Sequence, residues 1–390
     1  MNDIKFNLGA GGLGRPLAGE DHISGFVSIL QDAHLPAGFS TSQRIKKIYS
    51  LEEVVNLGIG PNSAHWQNIN LYYAIQTCYE INKKAVLYIG IFNADASVPE
   101  AVISLQNYSE GKIRQIGVIN NEQNLTAAYL NALQSACDTL EAEHKPVSLV
   151  TNFQLDNTDV LADLPNLREL QNKNVSVVIG ADGGLLNVTQ NNQYASILGV
   201  TIGALSKAKV NENIGWVGRF DISKNDTGRF DVPALTNGVL IKDLPAAALE
   251  DLNVKGYIFL LKHIGTAGTY FNDSATAIIE TSDYAYIENV RTIDKAVRNT
   301  RTYLLPSLNA PLYVNRDGTL TEDTILTFKN DTSRALEEMQ RNVEISAFEV
   351  TINPNQNVLS TSKLAITIKI VPVGVARNIE VNIGFAVKVG

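Results

Sequence analysis

Apolar and polar residues alternate along the last stretch of the chain: Ile379, Val381, Ile383, Phe385, Val387 and Val389 are separated by Glu380, Asn382, Gly384, Ala386 and Lys388. A period of two over this length predicts a β-strand with one apolar face. Little chain follows, so its neighbour comes from earlier in the sequence or from another molecule. A shorter alternation, Ile4, Phe6 and Leu8 around Lys5 and Asn7, lies at the other end. Gly9, Gly11, Gly12, Gly14, Pro16 and Gly19 come next, so this end reads as a strand on a loose tether.

Between these ends the pattern has two regimes. An apolar run at 85–91 predicts a buried strand, with further strands at 113–119, 146–153 and 175–181, and Phe26, Val27 and Ile29 form another, starting at Ser24. Helical spacing fills the intervals, at 51–57 (capped by Ser50 and closed by Gly58), 69–82, 98–108, 125–143, 160–172 and 193–207. The last of these carries Ala195, Gly199, Gly203 and Ala204, small residues that permit close packing. Strands alternating with helices imply βαβ units and a mostly parallel sheet covered on both faces. Beyond about residue 241 the rhythm changes. A strand at 257–262 precedes a helix at 283–304 with Ile287, Val290, Ile293, Val297 and Leu304 in one arc and Arg291, Arg298 and Arg301 largely outside it. A second helix at 321–342 and alternating strands at 343–352 and 364–371 follow. The expected fold class is α/β plus α+β: a parallel-sheet α/β domain, then a helix-and-antiparallel-sheet domain with extended terminal strands. The expected boundaries are an arm at 1–23, domains at 24–241 and 242–377, and a closing arm at 378–390.

Composition narrows the function classes. The chain has 390 residues, 45% hydrophobic and 18% charged, as in ordinary globular proteins. A net charge of −8 argues against a general nucleic-acid binder. No apolar run approaches the ~20 residues of a membrane span, and residues 1–5 lack the basic start and apolar core of a signal peptide, so the protein is expected to act where it is made or to leave by lysis. Cys78 and Cys137 fall in helix-like stretches and read as buried, reduced thiols.

No motif assembles catalytic chemistry. Residues 9–14 spell G-x-G-x-x-G, but a dinucleotide site needs that run to close a strand and open a helix, and Arg15-Pro16-Leu17-Ala18-Gly19 does not. Gly180-Ala181-Asp182-Gly183-Gly184 does follow a strand, yet nothing nearby completes a phosphate site, and loop geometry is the plainer reading. The five histidines are scattered singly. Asp221, Asp226 and Asp231 lack the spacing of a cation loop. Arg291, Lys295, Arg298 and Arg301 line one side of a helix, either as a solvated face or as a docking surface for an acidic partner. No cofactor or metal is expected.

The order of these features resembles that of contractile tail sheath proteins from bacteriophages and phage-like injection machines. Ser24-Gly25-Phe26-Val27 after a Gly-rich arm, then Leu57-Gly58-Ile59-Gly60, is similar to the sheath opening. Residues 284–294 resemble the helix that opens the sheath core domain, and 364–371, Pro372 and 379–383 resemble its final strand, proline and terminal strand. The N-terminal half looks most like a sheath-related family of Bacteroidetes prophages. The resemblance implies a structural subunit, not an enzyme, with an outer α/β domain and an inner domain around a tube. It implies arms that add strands to neighbouring subunits: Ile4, Phe6 and Leu8 at one end, Ile379, Val381, Ile383 and Phe385 at the other. The acceptor strands would carry Ile345, Val350, Ile366, Ile368 and Ile370. Docking to the tube would use Arg291 and Arg298, or Arg334 and Arg341. The implied partners are the chain itself as a helical homo-oligomer, an inner tail tube protein, and baseplate and tail terminator proteins, with neither nucleic acid nor membrane insertion. The implied location is the tail of a virion or phage-like particle assembled in the bacterial cytoplasm. Two alternatives stay open: a two-domain α/β enzyme binding a nucleotide or small molecule near 180–184, and a baseplate or tail-end protein sharing the sheath core.

Overall fold

The computed structural model describes residues 20–120, 125–156, 158–185, 195–223 and 227–385. The expected arm strand at Ile4, Phe6 and Leu8, and the glycine string at 9–14, lie outside them. In chain order the first half carries β1 (Ile23–Ile29), β2 (Ile45–Ile48), α1 (Leu51–Asn56), α2 (Trp66–Ile81), β3 (Val86–Phe92), α3 (Val98–Tyr108), β4 (Gln115–Ile119), α4 (Ala127–Ala142) and β5 (Ser148–Asn152). The next segment carries β6 (Gln171–Asn172), β7 (Val175–Val178), β8 (Gly180–Asp182), α5 (Leu198–Lys207), β9 (Pro233–Leu235), α6 (Ala246–Val254), β10 (Tyr257–Ile258), β11 (Leu260–Leu261), β12 (Tyr270–Phe271) and β13 (Ala277–Ile278). The last segment has α7 (Ile287–Leu304), α8 (Glu322–Arg341), β14 (Ile345–Thr351) and β15 (Thr367–Pro372).

Seven strands form one sheet in the order β10-β7-β5-β4-β1-β3-β2, parallel except for β2 at the edge. Strands buried on both faces favour near-continuous apolar sequence, as the run at 85–91 has, while β5 also buries Ser148, Thr151 and Asn152. One face is covered by α2 and α5, the other by α3 and α4, giving two buried layers with Phe26, Leu87 and Ile89 in the first and Val102, Leu133 and Leu149 in the second. The small residues of α5 act as expected. A Cβ on Gly199 would lie 2.0 Å from the Ala74 carbonyl oxygen, so α2 and α5 touch backbone to backbone there. Cys78 and Cys137 are buried free thiols whose pKa values burial pushes up.

Two expectations are corrected. The helix expected at 160–172 is two short 3-10 turns, Leu161–Asp163 and Leu167–Glu169, followed by β6. Pro165 lies between them, and the residue before a proline is driven out of the helical region. The α/β region also outlasts residue 241, because β10 pairs in parallel with β7 as the sheet's other edge.

The second region is smaller. The β14–β15 antiparallel pair lies on α7 and α8 around Ala296, Leu336, Met339, Ile345 and Val350. Between α8 and β14 the chain passes through Val343 at φ 60°, a left-handed backbone that a β-branched side chain rarely adopts.

Candidate assembly surface

Helix α7 buries residues from both of its expected sides: Ile287 and Val290 of the apolar arc are each 2% exposed, and Arg291 is buried with them. Arg291 is not on a free basic face. It is 3% exposed and donates to the carbonyls of Ala208 and Lys209, each at 3.4 Å, where α5 ends. A cation at a helix C-terminus is well placed against the partial negative charge there. Lys295 bridges Asp21 at 2.8 Å and Glu344 at 2.6 Å, and Arg298 reaches Asp21 at 3.9 Å. Three of the four basic residues of α7 are thus spent on their own chain, while Arg301 stays exposed beside the groove at the end of the helix. Its apolar side is only partly covered, and Val297 is 49% exposed. Of the residues expected to dock a tube, Arg291 and Arg298 are turned inward, while Arg334 and Arg341 on α8 remain exposed.

The same charges hold the chain near its start. Glu20 pairs with Arg114, and the Asp21 backbone carbonyl accepts from Gln115 Nε2 at 3.0 Å. Burial pushes the Asp21 carboxyl up, but Lys295, Arg291 and Arg298 outweigh it and leave its pKa below the ordinary value. Asp294, on the same helix, goes the other way: burial raises it to about 6 against the pull of Arg298.

The other end is held at one point. After β15 the described chain runs from 373 to 385 without regular structure. Arg377 Nε meets Asp273 Oδ2 at 2.8 Å, its second arm meets Glu288, and its guanidinium lies over the Tyr286 ring, 3.3 Å from the centroid. Glu288 is 3% exposed and also accepts from Ser274. Burial raises its pKa, while Arg377 opposes that rise. Beyond this point Ile379, Val381, Ile383 and Phe385 are exposed at 81%, 68%, 91% and 112%. Sequence reasoning missed Arg377, because its partners lie 104 and 89 residues away and nothing local marks them.

An apolar groove of about 540 Å³ opens between α7 and β15, lined by Ile293, Ala296, Val297, Leu304, Ile368 and Ile370. Among the expected acceptor residues, Ile345 and Val350 are already buried in the small core, and Ile366, Ile368 and Ile370 are partly buried beside it. Because β14 and β15 pair only with each other among the described residues, each keeps one unpaired edge. The groove and that open hairpin belong to one surface.

Residues 180–184 are occupied with their own fold. The Asp182 carboxylate accepts from the backbone N–H of Gly184 at 2.9 Å and of Phe230 at 3.0 Å, which ties two loops together. At the carboxyl ends of β4 and β5, where ligands of open α/β sheets usually bind, the cavity measures about 30 Å³, room for one water. Among the described residues its polar lining is amide and hydroxyl, from Asn70, Asn120, Asn152, Gln154, Ser196 and Tyr73. Asp221 binds the N–H groups of Ser223 and Thr269 at 3.0 and 3.1 Å, and Asp231 pairs with Lys262, so these two acids brace loops; Asp226 lies outside the described residues. Among the described residues no cluster of three or more metal-ligating side chains is present, and no helix is long and apolar enough to cross a membrane.

Three solved structures share this fold. A chain of the anti-feeding prophage (AFP) baseplate matches with a TM-score of 0.61 at 16% identity, over 95% of this chain and 94% of that one. A chain of the contracted AFP helical sheath matches at 0.60 and 15%, over 93% and 92%. A chain of the contracted sheath complex of PVC, an extracellular contractile injection system, matches at 0.62 and 12%, over 94% and 92%. No curated protein matches the sequence. Family models do: the DUF2586 N-terminal domain over residues 1–275 and the DUF2586 C-terminal domain over residues 283–390, so the chain belongs to the DUF2586 family.

Proposed function

We propose that the chain is a structural, non-catalytic subunit of a contractile tail or injection particle, and specifically a sheath subunit that polymerises helically around an inner tube. The observation that carries this reading is the coexistence, in one chain, of an unpaired apolar arm and an unfilled place for one. In an extended arm, Ile379, Val381, Ile383 and Phe385 fall on one face over about 20 Å. The six-residue strand β15, of comparable length, borders the apolar groove with a free edge. Pairing the arm of one copy with that edge in another would form main-chain hydrogen bonds worth roughly 0.5–1.5 kcal/mol each, while its apolar side chains cover Val297 and Leu304. The shared fold with AFP and PVC sheath chains supports the same role. The N-terminal arm at Ile4, Phe6 and Leu8 would make a second link, and the exposed Arg334 and Arg341 would face the tube.

The AFP match from a baseplate favours a second reading, a baseplate ring protein sharing the sheath core. Negative-stain microscopy of the purified chain separates the two. Helical tubes are expected for a sheath and closed rings for a baseplate component. A monodisperse monomer that binds ATP or NAD would sink both. In the cell the subunit would assemble in the cytoplasm, with tube, baseplate and terminator proteins as partners.

A further inference from the structure

The arm's free length is set by a single side chain. Between Pro372, the last residue of β15, and Arg377, four residues cross the surface without ladder hydrogen bonds. At Arg377 the side chain is gripped by two carboxylates and a ring, while the chain on either side of it is exposed. We infer that Arg377 is the positioning residue that fixes where the C-terminal arm begins, keeping 373–377 on its own subunit so that only the residues beyond can reach a second copy.

Three features distinguish this contact from an ordinary surface ion pair, which contributes little. Glu288 is almost fully enclosed, so it is poorly hydrated and depends on its protein partners. Asn213 Nδ2 donates to Asp273 at 2.6 Å and to Glu288 at 3.3 Å, which holds both acceptors in place before Arg377 arrives. The planar guanidinium bonds along its edge while its face covers Tyr286, a combination an ammonium does not provide. Releasing the contact would add five residues to the arm, roughly 16 Å of extended chain. The grip therefore decides whether neighbouring copies are joined by a short strap or a long one, a consequence that rests on the sheath reading, whereas the grip itself does not.

Limited trypsin digestion of the soluble full chain tests the grip. Cleavage after Arg377 requires the guanidinium to leave Asp273 and Glu288 for the protease's own pocket, so its rate follows the released fraction. Tyr286→Ala, Glu288→Gln and the conservative Arg377→Lys all leave a cleavable bond at 377. Each is expected to speed that cleavage tenfold or more relative to cleavage after the exposed Lys363, with an unchanged unfolding midpoint for Arg377→Lys. Cleavage at 377 as fast as at 363 in the unaltered chain, or unaffected by Arg377→Lys, overturns the proposal. If tubes form, the same variants should assemble with a longer or irregular axial repeat by cryo-microscopy. A normal repeat despite faster cleavage would leave the grip standing and refute its control of arm reach, and absence of tubes from the unaltered chain would count against the sheath reading alone.

Discussion

The seven-stranded α/β region and the helix-hairpin region treat apolar surface in opposite ways. In the first, both faces of the sheet are sealed by helices, Phe26, Leu87 and Ile89 are fully buried, and α2 and α5 meet at backbone contact. In the second, the buried core comes down to Ala296, Leu336, Met339, Ile345 and Val350, while Val297, Leu308 and the arm's isoleucines remain in solvent. One region is finished by its own sequence. The other leaves apolar surface open among the described residues, and a small protein region with an open apolar groove is where a partner is expected.

The largest effect that would break this comparison is loss of assembly. Deleting 378–390 should abolish tubes or rings entirely while the unfolding midpoint moves by no more than a few degrees; a collapse of the fold would show that the arm belongs to its own subunit. In the sealed region, Leu87→Ala should cost about 2–5 kcal/mol in urea unfolding, because the cavity has no room to collapse. A loss below ~1 kcal/mol would mean that the sheet is not the stability centre.

The third effect is electrostatic. Asp294 has a folded pKa raised to about 6 from 3.8, so its contribution favours the fold below pH 4 and is lost as pH rises through 6. The ionised Asp294 opposes the fold most above pH 6, so Asp294→Asn should gain stability relative to the unaltered chain at pH 8. That gain should be gone by pH 4. Asp21, lowered by its cations, has the opposite sign and keeps its contribution until the pH falls below about 4. A pH-independent difference between the two proteins would refute the assignment. The smallest effect should come from the open groove: Val297→Glu should change monomer stability by less than ~0.5 kcal/mol yet weaken assembly. A large loss of monomer stability would place Val297 in a core after all.

The strands of the sheet were legible because a strand covered on both faces is mostly apolar, and 85–91 is the plainest case. The limits were equally physical. A single proline, Pro165, divided what spacing alone read as one helix. Helix α7 shows the deeper limit. Its amphipathic pattern is plain, but periodicity does not say which face meets the rest of the chain. Arg291 and Arg298 went inward because α5 offers carbonyls to Arg291 and the chain near its start offers Asp21, partners far away in sequence. The grip on Arg377 was illegible for the same reason, and the arm was legible because alternation is local.

Val343 links the two parts of the smaller region in its strained left-handed turn. Such a conformation costs on the order of 1–3 kcal/mol for a residue other than glycine. Glycine would relieve it, but glycine would also let the turn pivot. With valine, the turn that delivers Glu344 to Lys295 has one setting. Helix and hairpin are then joined, like a crank and its handle, by a turn with less freedom than a glycine would allow.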